Sequence, residues 1–308
     1  MQQTGLFTHR ECSQHEMGSW HPECPERLAA ISDHLISTGI APYLKHFDAP
    51  LASTEALQRA HSADYVARLQ SSVPTDGYRP LDPDTSMNSH SLNAALRAAG
   101  AVVDAADRVA KGEIANAFCA VRPPGHHARR SAAMGFCIFN SIAVGARHAS
   151  DALGFERVAI IDFDVHHGNG TEEIFADDEK VLMASFFQHP FYPYSGTGNL
   201  AKNMVNVPLP AGTKGGVARQ VVDEVWLPRL NEFEPQMIFI SAGFDAHRED
   251  GLGQMGLVEA DYTYITERLM EVADKHAEGR IVSSLEGGYN LSALGRSAAA
   301  HVKALARL

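Results

Sequence analysis

The stretch Ile160-Ile161-Asp162-Phe163-Asp164-Val165-His166-His167-Gly168-Asn169-Gly170 decides the reading of this chain. The apolar run at residues 158–161 leads into it, and such a run, bounded by glycine and polar residues, predicts a buried parallel strand. Alternation along an extended chain puts Asp162, Asp164 and His166 on one side. In an open α/β sheet, ligands gather at the carboxyl ends of strands. Carboxylate and imidazole donors two apart at such an end suit a divalent metal such as zinc. A solvated turn is the weaker reading, because four ionisable groups beside a core strand are costly to hold without a partner.

Outward from this point, strand and helix patterns alternate. Residues 5–25 carry His9, His15, His21, Cys12 and Cys24 without a period and read as a long loop. Pro25 and Glu26 open a helix with the apolar stripe Leu28, Ile31, Leu35 and Ile36, and Arg27 stands at its start. Short helices at 54–60 and 63–69, a Pro-, Gly- and Asp-rich loop at 73–83 and an Ala-rich helix at 91–110 follow. A short strand at 117–121 ends in Arg-Pro-Pro-Gly-His-His-Ala, which stops the strand and then presents His126 and His127. After a second Ala-rich helix and the central stretch, strands at 181–186, 205–208, 237–241 and 281–285 alternate with helices near 172–176, 216–230, 259–273 and 291–305. The pattern predicts an α/β fold: a single-domain open parallel β-sheet with helices on both faces, over residues 1–308.

The chain has 308 residues, 45% of them hydrophobic, enough for one large core. A net charge of −11 and a pI near 5.8 argue against a general nucleic-acid binder, since phosphate contact favours basic surfaces. The same charge is compatible with a cationic substrate. Residues 1–10 lack the apolar core of a secretory leader, and no stretch has the apolar length of a membrane span. The cysteines (Cys12, Cys24, Cys119, Cys137) form no CxxC pair, so the expectation is no zinc ribbon and a reducing, cytoplasmic setting.

Strand ends carry the chemistry. They present His126 and His127, then Asp162, Asp164 and His166, then Asp245, then Tyr289 beside Gly287-Gly288. A parallel sheet places all four ends on one rim. Asp164, His166 and Asp245 would give a metal three protein ligands and leave a position for water and substrate, the catalytic arrangement for zinc. Such a metal lowers the pKa of its water and polarises a carbonyl. One imidazole then takes the water proton and another protonates the leaving amine. Asp162 and Asn169 are candidate acceptors for the other ring nitrogens, and Tyr289 is a candidate donor to the oxyanion.

With these motifs the chain resembles the zinc-dependent histone deacetylase family of the arginase–deacetylase superfamily, over most of its length from His21 to Leu291. The residues that carry the resemblance are Arg-Pro-Pro-Gly-His-His-Ala, Asp-Phe-Asp-Val-His-His-Gly-Asn-Gly, Ser-Ala-Gly-Phe-Asp-Ala and Leu-Glu-Gly-Gly-Tyr-Asn. Asn169 and the Glu-Gly-Gly-Tyr form resemble class II members and the bacterial histone deacetylase-like amidohydrolases. The resemblance implies zinc on Asp164, His166 and Asp245, His127 as general base, His126 as its partner oriented by Asp162, and Tyr289 polarising the acetyl carbonyl. It also implies a structural potassium ion (K+) at Asp162, Asp164, His166, Ser185 and Phe186, and a second monovalent site near the backbone of Phe175, Asp178 and Val181. Phe136 matches one wall of the family's acyl-lysine tunnel, Tyr192 is the expected opposite wall, Gly135 borders it, and Arg27 is placed near an exit path for acetate.

The chain departs from the family pattern at Phe187, where many relatives have His, and in the loop 188–198. Leu252 stands where acetylpolyamine-selective relatives can carry an acid, and an apolar residue there favours acyl-lysine. The expected partner is an acetyl-lysine peptide or protein, with an acetylated small amine as the alternative. A non-catalytic acyl binder would not need His126, His127 and Tyr289, and a binuclear manganese ureohydrolase would need more carboxylates. The sequence leaves the oligomeric state open, a homo-oligomer included.

Overall fold

The runs read as buried strands lie side by side. A computed structural model describes residues 3–198 and 200–308. Its strands are β1 (Gly5–Thr8), β2 (Lys45–Asp48), β3 (Arg79–Pro80), β4 (Ser86–Met87), β5 (Ala117–Cys119), β6 (Val158–Asp162), β7 (Val181–Gln188), β8 (Met204–Leu209), β9 (Met237–Ala242) and β10 (Ile281–Leu285). Eight of them form one sheet in the order β2-β1-β5-β10-β9-β6-β7-β8, with every pair parallel. β3 and β4 make a separate antiparallel pair. All residues of β6, β9 and β10 are buried, which is why β6 and β9 open with unbroken apolar runs rather than alternating ones. Each fully buried Val, Leu or Ile there contributes about 1.5–3 kcal/mol of transfer free energy.

Helices cover both faces. Successive residues of β10 point to opposite sides. Ser283 Oγ meets His301 Nε2 at 2.8 Å on the helix Leu291–Leu305. Val282 is in register with Phe239, whose ring abuts Gly145 on the helix Ser141–Asp151. That helix crosses the Ala-rich helix Ser91–Ala110 closely: a Cβ on Gly145 would lie 2.4 Å from Val102 Cγ1. Asn140 and Asn290 cap their helices by accepting from Ala143 N (2.9 Å) and Ala293 N (3.0 Å), satisfying donors the first turn leaves free.

The fold differs from the sequence reading at several places: Ile36, read into the apolar stripe of the first helix, is exposed, and residues 79–80, read as loop, form β3. Residues 5–8 are not loop but β1, with Leu6 and Phe7 buried and Gly5 in register with Ala117. Four residues are too few for a period to show. β2 adds an edge strand whose Lys45-His46-Phe47-Asp48 stretch is mostly exposed and looks polar in sequence. The expected helix at 216–230 carries a π-helical turn, Val222–Trp226, just before Pro228, which cannot donate a helical hydrogen bond.

Candidate active site

β5, β10, β9 and β6 are neighbours in the sheet, so the four chemistry-bearing strand ends share one stretch of rim. Asp164, His166 and Asp245 each offer one ligand atom, all within 4.8 Å of one another. His166 Nδ1 lies 3.0 Å from Asp164 Oδ1 and 3.1 Å from Asp245 Oδ2. Each carboxylate is aimed by a backbone donor: Gly287 N to Asp164 Oδ2 (2.8 Å) and Val165 N to Asp245 Oδ1 (2.9 Å). Gly287 must be glycine, since a Cβ would stand 2.1 Å from Asp245 Oδ2 and 2.5 Å from Asp164 Oδ2.

The electrostatics of this trio fit a divalent cation. Burial and the Asp164 charge push Asp245 up to about 7. Burial also opposes the charges on Asp164 and His166, but the His126 and His166 charges overcome it at Asp164, and the Asp164 and Asp245 carboxylates overcome it at His166. Asp164 is held far below the carboxylate range, and His166 is pushed up to about 10. Two buried carboxylates beside one imidazole are an excess of negative charge, and a cation is the partner that removes it. Two carboxylates and one imidazole are a zinc-type donor set with room for a fourth ligand.

The two histidines beside the trio are pushed apart. Their ring centroids are 4.0 Å apart. His126 Nδ1 lies 2.9 Å from Asp162 Oδ2. Burial opposes a charge on His126, but the Asp164 and Asp162 carboxylates overcome it and hold the ring well above its ordinary value. His127 is driven well below its ordinary value by burial and by the charges of His126 and His166. His127 Nδ1 lies 2.8 Å from Asn169 Oδ1, which fixes its proton there and leaves Nε2 as the acceptor. Environments that separate two titrating groups in this way assign one as base and one as acid.

Tyr289 closes the site. Burial raises its phenol well above the usual range, so it stays a hydrogen-bond donor. Its turn is fixed by Asp250, whose Oδ2 accepts from Tyr289 N (2.6 Å) and Asn290 N (3.0 Å) while Oδ1 accepts from Leu252 N (2.9 Å). Arg27, placed by its sequence position at a helix start, is completely buried. Its Nε donates to Gly288 O (2.7 Å) and its Nη1 to Glu23 Oε1 (3.0 Å), and its guanidinium sits 5.0 Å from the Tyr289 ring. Sequence reasoning missed Asp250, Glu23 and Glu286. They are acids without metal-ligand spacing, and only their burial marks them.

A cavity of about 420 Å³ opens over these groups, lined by His127, His166 and Tyr289 at the floor. Its walls are Phe136, Gly135, Tyr192, Phe191, Leu252 and Gln254, with Asp84 among them. Tyr192 meets the His127 ring edge-on at 5.3 Å, and Phe191 stacks on His166 at 5.4 Å. The resemblance that points to Tyr192 names no second aromatic in the loop 188–198, so Phe191 is not singled out by the sequence. Phe136 has φ 68°, a left-handed conformation unusual for Phe. Gly135 N donates to Asp84 Oδ1 (3.0 Å) and Phe136 N to Thr85 Oγ1 (2.9 Å), holding that turn.

Of the oxygens named for potassium, those of Asp162 and Ser185 belong to register partners on β6 and β7. At the place expected for a second monovalent ion, the carbonyls of Phe175, Asp178 and Val181 share one side-chain donor. Asn203 Nδ2 donates to Phe175 O (2.7 Å), Asp178 O (3.1 Å) and Val181 O (2.9 Å). Asp177 N donates to Asn203 Oδ1 (3.1 Å), which fixes which way the amide faces.

The parallel sheet thus brings a buried carboxylate–imidazole trio, an oppositely polarised histidine pair and a tyrosine together under one apolar-walled cavity. Residues 21–305 match the histone deacetylase domain, and the chain belongs to that family. It is 40% identical over 296 residues to a probable deacetylase of Archaeoglobus fulgidus, covering 94% of this chain and 82% of that one. It is 37% identical to a histone deacetylase-like amidohydrolase of Pseudomonas aeruginosa, covering 88% and 73%. Against type-2 histone deacetylase 2 of Dictyostelium discoideum, 34% identical, it spans 20% of the relative's length. The crystal structure of the HDA15 HD domain superposes with a TM-score of 0.93 at 35% identity, covering 99% of this chain and 88% of that one. The protein is therefore an enzyme of a deacetylase family with the arginase–deacetylase fold.

Proposed function

We propose that the protein is a zinc-dependent deacetylase that removes an acetyl group from the ε-amine of lysine in a peptide or protein. The observation that carries this reading is the oppositely polarised His126–His127 pair beside the Asp164–His166–Asp245 donor set, under an aromatic-walled cavity. Asp164, His166 and Asp245 would hold the zinc, which would supply a Lewis acid for the amide carbonyl and a more acidic water at the cavity floor. His127 lines the cavity, and its free Nε2 takes the proton of the attacking water. His126 lies behind it with its ring held against Asp162, and the Asp164 carboxylate offsets the positive charge that His127 gains and returns. The proton passes to the leaving amine as the C–N bond breaks, giving acetate and free lysine. Tyr289 donates its hydroxyl to the acyl oxygen as negative charge develops there. Phe136, Tyr192 and Phe191 flank the lysine methylenes, for which flat apolar faces are suited. The same reading assigns a structural potassium ion to Asp162, Asp164, His166, Ser185 and Phe186.

A second reading, an acetylated small amine as substrate, is favoured by Asp84, a carboxylate in the cavity wall where a free cationic amine would pass. Rates on the zinc-loaded enzyme decide between the two: an acetyl-lysine peptide, a longer acyl-lysine peptide and an acetylpolyamine compared side by side. Higher kcat/KM on the peptide supports the first reading, and higher kcat/KM on the polyamine replaces it with the second. Hydroxamate binding without turnover of any acyl substrate overturns both.

A further inference from the structure

One buried carboxylate beside the site has no part in the chemistry above. Glu286 follows β10 directly and is 1% exposed. Its Oε2 accepts from the backbone N–H groups of Gly125 (2.6 Å) and His126 (3.0 Å), residues more than a hundred positions away. Its Oε1 accepts from Ser241 Oγ (3.3 Å) near the end of β9. Its own N–H donates to Ala242 O (3.0 Å), and its carbonyl accepts from Arg27 Nη2. Glu286 therefore joins three segments: the loop of the imidazole pair, the strand that leads to Asp245 and the turn that carries Tyr289.

We propose that Glu286 is a positioning residue for deacetylation. Its carboxylate fixes the Gly125–His126 backbone against the Tyr289 turn, and so fixes the imidazole pair relative to the oxyanion donor. This rests on the deacetylase reading. The Asp162 bond aims the His126 ring and the Gly170 and Thr171 N–H groups hold its carbonyl, while the N–H side of the Gly125–His126 backbone is held by Glu286. Hydrogen bonds from N–H groups to a carboxylate are stronger than neutral ones, and two buried donors lose their acceptor together if it is removed. A shift of about 1 Å between reacting groups costs about a hundredfold in rate.

Three variants test this. Glu286→Leu keeps the volume and removes the acceptors. Glu286→Gln keeps an oxygen for both N–H groups and an amide that can donate to Ser241 Oγ. Glu286→Asp keeps the charge but withdraws it by one methylene. Each is measured for kcat and KM on an acetyl-lysine peptide, for bound zinc and for the imidazole Nδ1–H resonance of His126. In the Leu variant kcat is expected to fall about a hundredfold with KM within about twofold, and in Gln to stay within about threefold of wild type. The Asp variant is expected to lie between them, and zinc content is unchanged throughout. The His126 resonance moves or broadens in Leu and is retained in Gln. Full kcat in Leu and Asp overturns the proposal. So does a loss in Gln as deep as in Leu, or a parallel loss of kcat, KM and zinc. The resonance needs no turnover: a wild type inactive on every acyl amide sinks the deacetylase reading, while the resonance still decides the positioning role.

Discussion

The floor and the walls of the cavity are built differently. The floor stands on strand ends: Asp162, Asp164 and Asp245 are buried, and each is aimed by a backbone donor or an imidazole partner. The walls come from loops. Tyr192 and Phe191 lie in 188–198, Leu252 and Gln254 follow Asp250, and Phe136 sits in a left-handed turn tied down by Asp84 and Thr85. Sites on rigid elements hold tighter geometry than sites on loops. The floor is therefore built for the reaction and the walls for choosing what reaches it, so floor variants should act on kcat and wall variants on KM and selectivity.

The largest effect should come from the donor trio. Asp245→Asn is expected to remove most zinc from the purified protein and to abolish turnover, read by metal analysis and a deacetylation assay. Zinc retained at wild-type level would break the assignment of Asp245. His127→Ala is expected to lower kcat by about 10²–10⁴ with zinc retained, the range for loss of a general base. A KM effect with kcat intact would move His127 from floor to wall.

Acid tests the supports of both regions. His61, whose Nδ1 lies 3.0 Å from Arg129 O under the wall loop, is held down to about 4 by burial. His301, under β10 at the floor, is held down to about 3 for the same reason. Both are neutral when folded and prefer to be protonated when unfolded, so the unfolded state binds more protons. Their stabilisation is complete above about pH 6.5 and is lost progressively as pH falls toward 4 and 3. At pH 5 the loss is about 2 kcal/mol per histidine. Denaturant midpoints from pH 7 to pH 4.5 should show it, and a flat profile would contradict both burials.

Asn203→Ala sharpens the comparison away from the cavity. It strips Phe175 O, Asp178 O and Val181 O of a shared donor and should cost about 1–3 kcal/mol. The variant should regain part of that in potassium chloride but not in choline chloride, so the stability gained from potassium over choline should be larger in the variant than in wild type. The smallest effect belongs to the wall: Phe191→Ala should raise KM by about three- to tenfold with kcat nearly unchanged, since one aromatic contact contributes about 0.5–1.5 kcal/mol. A kcat loss instead would place Phe191 with the floor.

The same division governs what the sequence shows. Residues 158–161 and 237–241 are fully buried strands, and their apolar runs announce both the sheet and its chemistry-bearing ends. His126, His127, Asp164, His166, Asp245 and Tyr289 were legible because residue type and strand-end position coincide, and the structure brings them to one rim. Phe191 was not legible, because only the resemblance singles out an aromatic in that loop and it points to Tyr192. The helix start at Arg27 is legible, but its burial is not, because an ion pair with Glu23 four residues earlier looks the same in solvent or in a core. Glu286 looks like part of a glycine turn, and its partners are visible only when β10 and the Gly125 loop come together. β1 and β2 escaped because one is too short and the other too exposed.

The most direct test of the central claim is turnover of an acetyl-lysine peptide by zinc-loaded wild type and Tyr289→Phe, with bound zinc measured in both. The account predicts equal zinc and a fall in kcat of about 10²–10³ in the variant, as for loss of one oxyanion donor. Equal zinc with unchanged kcat would contradict it, because the phenol would then have no part in the reaction.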